Sequence, residues 1–214
     1  MKSNHGFTIV EMMVAIAISG IVMASVYSSF YSQQKSSVAQ NEIAAMQQNL
    51  RAAMYFMERE IRMAGYNPVE ASGVGIQSAA ATSLQFTSDI TDNAGTGDPD
   101  GDTGDTGEDI TYALGDGDGD GDNDLVRNNV NIAENIDAVD FVYLDQNGAV
   151  TATLSDIRSV QISLVARTGK GDLGYVNNTA YTNQQGTQIL GAQGDAKRRR
   201  LLTAQVKCRN LGLL

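Results

Sequence analysis

The chain is poor in the residues that most enzyme and metal sites require. It has one histidine and one cysteine among 214 residues. The histidine, His5, precedes the first long apolar run, so the rest of the chain offers none for a Ser-His-Asp, Cys-His or histidine-ligated zinc site. The cysteine, Cys208, has no partner for an intramolecular disulfide, and we expect a buried small hydrophobe. Because no other pattern indicates carboxylate or lysine chemistry, we expect no enzymatic activity.

Basic residues are also scarce. The 15 Lys and Arg side chains face 25 Asp and Glu, and the formal net charge is −10. Phosphate contacts need a basic surface, so this balance argues against nucleic acid as a partner. The length leaves room for one long helix and one domain of modest size.

One long apolar run lies near the N-terminus. Residues 12–34 contain no charged side chain, and Glu11 is a lone carboxylate just before them. An apolar helix of about 20 residues rises roughly 30 Å, enough to cross a bilayer. A secretory signal is cut after its apolar region, whereas here the small residue Gly6 comes before it. A cut after Gly6 would leave the helix on the mature protein as a retained anchor.

The start of this helix resembles the signal of the type IV pilin superfamily, which includes pilins, minor pilins and type II secretion pseudopilins. The matching residues are Gly6, Phe7, the stretch Thr8-Ile9-Val10, and Glu11 as fifth residue of the mature chain. The resemblance implies that residues 1–6 are a leader removed by a prepilin peptidase, which then N-methylates Phe7. Residues 7–31 would form the membrane-spanning and filament-core helix, in a single pass through the bacterial inner membrane. The globular part would lie in the periplasm and later on the pilus at the cell surface.

A neighbouring subunit would offer Glu11 a partner in such an assembly. A carboxylate at membrane depth is costly and marks a functional pairing by default. The amino group of Phe7 on the neighbour would be a cation at a similar depth, and the pair would offset two desolvation costs. The alternative is that Glu11 extends to the membrane interface.

The helix is predicted to continue as an amphipathic segment through residues 32–66. Apolar residues recur there at steps of three and four, as expected for one buried helix face: Ile43, Met46, Leu50, Met54, Met57 and Ile61. Gly65 is placed as a C-terminal cap, with Pro68 beyond it. A helix over residues 7–64 would be about 85 Å long. The predicted fold is α+β, with this helix packed on an antiparallel sheet in the lollipop shape of pilins.

Residues 67–214 are predicted to form the β-rich globular domain. Short runs of alternating polarity predict strands at 83–88, 109–114, 125–128, 138–144, 149–154, 160–167 and 201–209. Asn147-Gly148 favours a hairpin turn, because Asn-Gly adopts positive φ readily. The run 158–167 alternates cleanly, which indicates a half-buried strand, and 169–194 is predicted to be an exposed loop.

The C-terminal region narrows the resemblance to PilW-type minor pilins. A basic run at residues 197–200 is followed by a strand and by Arg209-Asn210-Leu211. Two further features are similar to those of the same group. They are the strand pattern at residues 110–114 and 125–128, and the end of the helix at residues 58–66. For the basic run we favour a solvated strand edge over a docking patch.

An acidic loop, residues 98–124, departs from that family pattern. It holds eleven carboxylates and no basic residue. Aspartates alternate with small residues over its last part, and a cation would relieve their mutual repulsion: Asp116, Asp118, Asp120, Asp122 and Asp124. The first three match the start of an EF-hand loop, but Arg127 stands where its bidentate glutamate would be. We leave open a calcium site or a flexible acidic loop.

The leading functional hypothesis is a minor pilin that primes or caps a type IV pilus. Its partners would be the prepilin peptidase, other minor pilins and the major pilin. The alternatives are a minor pseudopilin of a type II secretion system, or an adhesin exported as a pilin and dependent on calcium.

Overall fold

A computed structural model describes residues 6–70, 72–92 and 97–212 of the chain. Apart from Gly6, the predicted leader therefore lies outside the described residues. The chain divides into two compact units, Met1–Glu42 and Ile43–Leu214. The first unit is helical, and the second combines the end of the same helix with the β-sheets.

Helix α1 spans Ile9–Ile61. It ends three residues before residue 64, the end predicted from the sequence. The chain forms a 3₁₀-type turn there, because the Met63 N–H donates to the carbonyl of Glu60, three residues back, and not to that of Arg59, four residues back. Gly65 follows with φ +78°, and a Cβ on it would collide with the Leu211 side chain. Gly65 thus has the left-handed φ predicted after the helix, but its N–H donates to the Thr87 carbonyl at 3.0 Å and not to a carbonyl of the helix.

Five antiparallel strands form the first sheet, in spatial order β1-β2-β3-β4-β5. They are β1 (Ile76–Ala79), β2 (Ser83–Thr87), β3 (Asp109–Gly115), β4 (Asp124–Arg127) and β5 (Val130–Ala133). The prediction located β2, β3 and β4, and it missed the two short edge strands. The acidic loop is divided by this sheet, since β3 runs through it and its last part is the β3–β4 connection.

Three longer antiparallel strands form the second sheet, in order β10-β7-β6. They are β6 (Ile136–Leu144), β7 (Ser159–Arg167) and β10 (Arg199–Lys207), and all three were predicted. The Asn147-Gly148 turn is confirmed, with the Asp145 N–H donating to the Ala149 carbonyl at 2.8 Å. The predicted strand 149–154 is wrong: Val150 makes a single bridge, and a short 3₁₀ helix, Leu154–Asp156, follows.

The core of the second unit lies between α1 and the sheets. The buried stripe of the helix confirms the predicted spacing, with Ala53 added to it: Met46, Leu50, Ala53, Met54, Met57 and Ile61. From the first sheet, Phe86 and Tyr112 are both fully buried, with ring centroids 6.5 Å apart. Burying side chains of this size contributes about 1.5–3 kcal/mol each.

Strand β7 is buried along its whole length, so the prediction of a half-buried strand is wrong. The reason is a two-stranded hairpin, β8 (Tyr181–Thr182) and β9 (Gln188–Leu190), in the segment predicted to be an exposed loop. Near its turn, the Gln185 side chain donates to Gln161 of β7 at 2.8 Å, and Asn183 donates to Asp140 of β6 at 2.8 Å. Polar side chains thus cover the second face of the strand, and alternation alone does not reveal this.

Candidate assembly site and acidic loop

Glu11 is occupied within its own helix. The backbone N–H and the hydroxyl of Thr8 both donate to its carboxylate at 2.8 Å, and the Glu11 N–H donates to the Thr8 hydroxyl at 3.2 Å. This reciprocal arrangement is a capping box, which satisfies backbone donors that have no partner inside the helix. Thr8-Ile9-Val10-Glu11 has the required Thr-x-x-Glu spacing, so this role was visible in the residues, although the prediction considered a partner on another subunit or the membrane interface and not a cap.

The residues on either side of the predicted cleavage point are open to solvent. Phe7 is 85% exposed, and Gly6 is exposed with space for a side chain, since a Cβ on it would meet no atom within 4 Å. The bond between them precedes the first helical residue, Ile9. An unpacked peptide of this kind can enter a protease site without prior unfolding.

No described residue of the chain covers the apolar half of α1. Its most apolar 18-residue window has a mean hydropathy of 2.2 and is 0% buried, and by length and composition the helix can cross a membrane. The hydroxyls of Ser19 and Ser25 donate to the carbonyls of Ala15 and Ile21 at 2.7 and 2.9 Å. These bonds satisfy both hydroxyl donors inside the helix, which suits an apolar surrounding.

Three of the five predicted cation ligands come together. Asp116, Asp118 and Asp120 are exposed, and one carboxylate oxygen from each lies within 4.8 Å of the others. The Asp116 carboxylate also accepts the N–H groups of Gly119 and Gly121 at 2.7 and 3.1 Å. The segment 116–121, called here the acidic tip, is therefore shaped by its own hydrogen bonds and exposes negative charge at the end of the β3–β4 connection.

The other two predicted ligands bind protein groups. Asp122 accepts a hydrogen bond from the Arg167 guanidinium at 2.5 Å. Asp124 is 1% exposed and accepts hydrogen bonds from the Asn135 N–H and the Asn131 amide, both at 2.8 Å. Burial raises the pKa of the Asp124 carboxyl above its usual range. The five-residue ligand set predicted from the sequence is therefore not assembled; its first three members are.

A buried aspartate–arginine network holds the end of the acidic loop to the second sheet. Asp137 accepts from Arg167 at 3.0 Å and from Arg199 at 2.5 Å, and Arg167 also binds Asp122. Arg199, whose side chain is 3% exposed, forms a bidentate pair with Asp195 at 2.6 and 2.7 Å. The hydrogen bonds from Arg199 lower the pKa of the Asp195 carboxyl to about 2.

The predicted basic run 197–200 leads into the edge strand β10, and within it only the Arg199 side chain is buried, while Arg200 is exposed. Arg199 lies in the network, and Arg198 binds Asp172 at 2.7 Å and lies 4.3 Å from the centroid of the Tyr175 ring. A solvated strand edge does not describe these two side chains, because their charges are already paired within the chain. Local pattern could not reveal the pairing with Asp137 and Asp172, since both lie far from the run along the chain.

A second acidic cluster was not singled out from the sequence. Oxygens of Asp100, Asp102 and Asp105 lie within 4.8 Å of one another. The buried Glu108 organises the surrounding backbone, accepting N–H groups from Ile90 at 2.8 Å and Asp105 at 3.3 Å. Desolvation and the neighbouring carboxylates raise the pKa of the Asp105 carboxyl.

Helix α1 is joined to the first sheet through Glu60. Its carboxylate accepts the Tyr112 hydroxyl at 2.5 Å and the Arg127 guanidinium N–H at 2.9 Å. Burial is the largest cause that raises the pKa of the Tyr112 phenol, and the hydrogen bond to Glu60 raises this pKa further. This position in β4 is the one where an EF-hand would need a glutamate, and the structure instead gives Arg127 a role in fixing the helix.

Comparison with protein families matches residues 1–27 to the prokaryotic N-terminal methylation motif. Among solved structures, a type IV-like pilin from Thermus thermophilus is similar in fold, with a TM-score of 0.51 and 17% identity. That match covers 78% of this chain and 98% of the Thermus chain. No curated protein matches. The motif and the fold, one long N-terminal helix packed on antiparallel sheets, support the type IV pilin superfamily and indicate a structural protein.

Proposed function

We propose that this protein is a minor pilin of a type IV pilus. The observation that carries the proposal is the methylation motif at residues 1–27 opening a helix whose apolar window is 0% buried. A helix apolar on all sides needs lipid before assembly and neighbouring helices after it. In this role the protein crosses the inner membrane once with its sheets in the periplasm. It then joins the major pilin and other minor pilins to prime or cap the filament.

The processing step has a direct test. Gly6→Val should leave the uncleaved precursor in the membrane, because a bulky residue occupies the cleavage point. Gly20→Val is the matched control, since Gly20 is equally free of neighbours within 4 Å. Mass spectrometry of the control should find an N-methylated Phe7 as first residue. A mature N-terminus at any other residue overturns the proposal.

Assembly should depend on the charge of Glu11. We propose that, in the filament, its carboxylate binds the Phe7 amine of a neighbouring subunit. Glu11→Ala should insert in the membrane yet be missing from sheared filaments. Thr8→Ala is the informative control, because it removes the capping hydroxyl and keeps the carboxylate, at a cost of about 1 kcal/mol to the helix start. Normal incorporation of Glu11→Ala would reject the pairing.

The same processing and fold serve a minor pseudopilin, and deletion of the gene distinguishes the two. A pseudopilin would leave surface piliation unchanged when deleted and would abolish secretion of folded periplasmic proteins. A minor pilin would give the opposite result. We favour the pilus, because the C-terminal strand and its Arg209-Asn210-Leu211 ending resemble PilW-type minor pilins.

We also propose that Asp116, Asp118 and Asp120 bind calcium, a function that would suit a calcium-dependent adhesin. The support is the cluster of three carboxylate oxygens within 4.8 Å, because calcium takes oxygen ligands at about 2.3–2.6 Å. Calcium at a hundredfold excess over Kd should raise stability by about 2.7 kcal/mol. Magnesium should do less, since it requires a tighter octahedron.

The calcium proposal is tested by melting the protein in calcium and in chelator. The double substitution Asp118→Asn with Asp120→Asn should abolish the difference between the melting temperatures in calcium and in chelator. It should leave the melting temperature in chelator unchanged. Asp102→Asn is a matched control in the other acidic cluster. Equal melting temperatures of the unsubstituted protein in millimolar calcium and in chelator would show that the acidic tip is only a solvated loop.

A further inference from the structure

The outer face of α1 within the second unit exposes two aromatic side chains. Tyr55 is 64% exposed and Phe56 is 48% exposed, and their ring centroids are 6.2 Å apart in an edge-to-face arrangement. Tyr55 lies opposite the buried stripe, which at this level consists of Ala53, Met54 and Met57, and Phe56 lies on the flank of the helix beside it. Adjacent exposed aromatic groups mark an interaction surface more often than scattered ones do.

Two arginines flank this pair. Arg51 and Arg59 stand four residues before and after Tyr55, so all three follow one line along the helix, about 12 Å long. Both arginines are exposed, and within the described part of the chain neither forms an ion pair. Tyrosine, phenylalanine and arginine are enriched in protein interfaces. We call Arg51, Tyr55, Phe56 and Arg59 the basic-aromatic face.

The acidic tip is complementary to this face in charge and in size. Its three clustered carboxylate oxygens lie within 4.8 Å, a width that fits between two arginines about 12 Å apart along the helix. Gly119 and Gly121 have φ of +82° and +92°, and neither has an atom within 4 Å of a Cβ position. The tip backbone can therefore approach the aromatic rings closely, without side chains between them.

We propose that the acidic tip of one copy docks on the basic-aromatic face of a second copy of this chain. Because the two surfaces are different, the contact is heterologous and joins two copies head to tail. The inference deepens the proposed function, on which it rests for the filament, by naming a lateral contact outside the apolar helix. Calcium bound to the tip would weaken this contact, because it neutralises the same carboxylates.

Cysteine crosslinking on the full chain in detergent micelles, in chelator, tests the contact. Cys208 is 1% exposed, and Cys208→Ser gives a background without a native thiol. One preparation carries Tyr55→Cys and the other Asp118→Cys, and a short bismaleimide joins them. The control preparation carries Val150→Cys in place of Asp118→Cys, and Val150 is exposed too, at 63%. The Tyr55–Asp118 product should exceed the Tyr55–Val150 product by about tenfold.

Charge reversal provides the decisive comparison. Arg51→Glu with Arg59→Glu should lower the specific product about tenfold, and Asp120→Lys on the other copy should restore part of it, with Asp116 kept because it holds the Gly119 and Gly121 N–H groups. Raising the salt to 1 M should also lower the yield, since exposed charges are then screened beyond about 3 Å. The arginine and aspartate positions are exposed, whereas Cys208 is buried, so a circular dichroism melt of each variant checks that the fold is retained.

The proposal is overturned if the Val150 control gives the same yield, or if the arginine substitutions leave the product unchanged. Crosslinking of the Tyr55→Cys chain to a different cellular protein instead of a second copy would overturn it too. The mass of the N-terminus is measured on the same samples. If Phe7 is methylated and the specific product is missing, this contact is rejected and the proposed function is retained. If the specific product forms on an unprocessed chain, the contact is retained and the proposed function is rejected.

Discussion

The two halves of helix α1 use similar residues in different arrangements. From Ile9 to Val26 the helix is rich in Ile, Val, Met and Ala, and Met23 there is 71% exposed. In the second half Met57 is fully buried against the sheets. The first half is apolar on every side, whereas the second has one apolar stripe and a polar remainder. Burial within the chain therefore follows from the spacing of apolar residues. A uniformly apolar helix has to be buried by lipid or by neighbouring helices instead.

The largest effect should come from truncating the same residue type in both halves. Met57→Ala should lower the free energy of unfolding by about 2–5 kcal/mol, because it opens a cavity at a fully buried position. Met23→Ala should leave that free energy unchanged within error. Urea unfolding in detergent micelles, followed by circular dichroism of the β-sheet signal, measures both. Similar losses for the two variants would contradict the division of the helix.

A smaller effect is expected where the second half is tied to the sheet by charge. Glu60→Gln should destabilise the fold by about 1–3 kcal/mol, because the partly buried Arg127 loses its anionic partner. Tyr112→Phe should cost less, about 0.5–1.5 kcal/mol, since it leaves that pair intact. The Glu11→Gln variant, changed in the first half, should not move the unfolding of the sheets. If Tyr112→Phe proves the more damaging substitution, the ion pair is not the main link.

The second unit should also respond to acid through the Asp195–Arg199 pair, to which residues 12–26 of α1 offer no titratable counterpart. The pKa of Asp195 is lowered to about 2 in the folded state, against about 3.9 in an unfolded chain. As the pH falls, the Asp195 carboxyl is therefore protonated in the unfolded state at a higher pH than in the folded state. The stabilisation by this group is present above about pH 4 and is lost as the pH falls towards 2. Asp195→Asn should flatten the stability profile in that window. An unchanged slope between pH 4 and 2 would show that the Arg199 pair does not contribute.

The smallest effect is expected from the hydroxyls of the apolar half. Ser19→Ala should leave membrane insertion and unfolding unchanged within about 0.5 kcal/mol, because its hydroxyl bonds to the Ala15 carbonyl of its own helix. Alkaline extraction of membranes and urea unfolding measure the two quantities. A clear loss of filament incorporation with normal insertion would instead assign Ser19 to a contact between subunits.

Features written in neighbouring residues could be predicted from the sequence. The helix, its glycine stop and six strands follow from local periodicity and turn residues, and the grouping of Asp116, Asp118 and Asp120 follows from their spacing. Contacts between distant segments could not be predicted. Asp122 was assigned to a cation, yet its partner Arg167 lies 45 residues away.

The strand predictions failed for the same reason. β7 alternates as a half-exposed strand would, and the hairpin that covers it comes from a later segment. The strand predicted at 149–154 has suitable residues, but the chain leaves the sheet after Val150, where it makes only a single bridge. Residue pattern sets what a segment can do, and tertiary neighbours decide whether it does so.

The aspartate–arginine network gives the two long surface connections fixed ends. Asp122 anchors the β3–β4 connection close to where it rejoins the sheet, and Asp195 anchors the connection that leads into β10. Doubling the length of a flexible loop between fixed points costs only about 0.6 kcal/mol. Insertions or grafted peptides placed between these anchors should therefore be tolerated, and related chains can diversify their outer surface through loop length while the sheets stay the same.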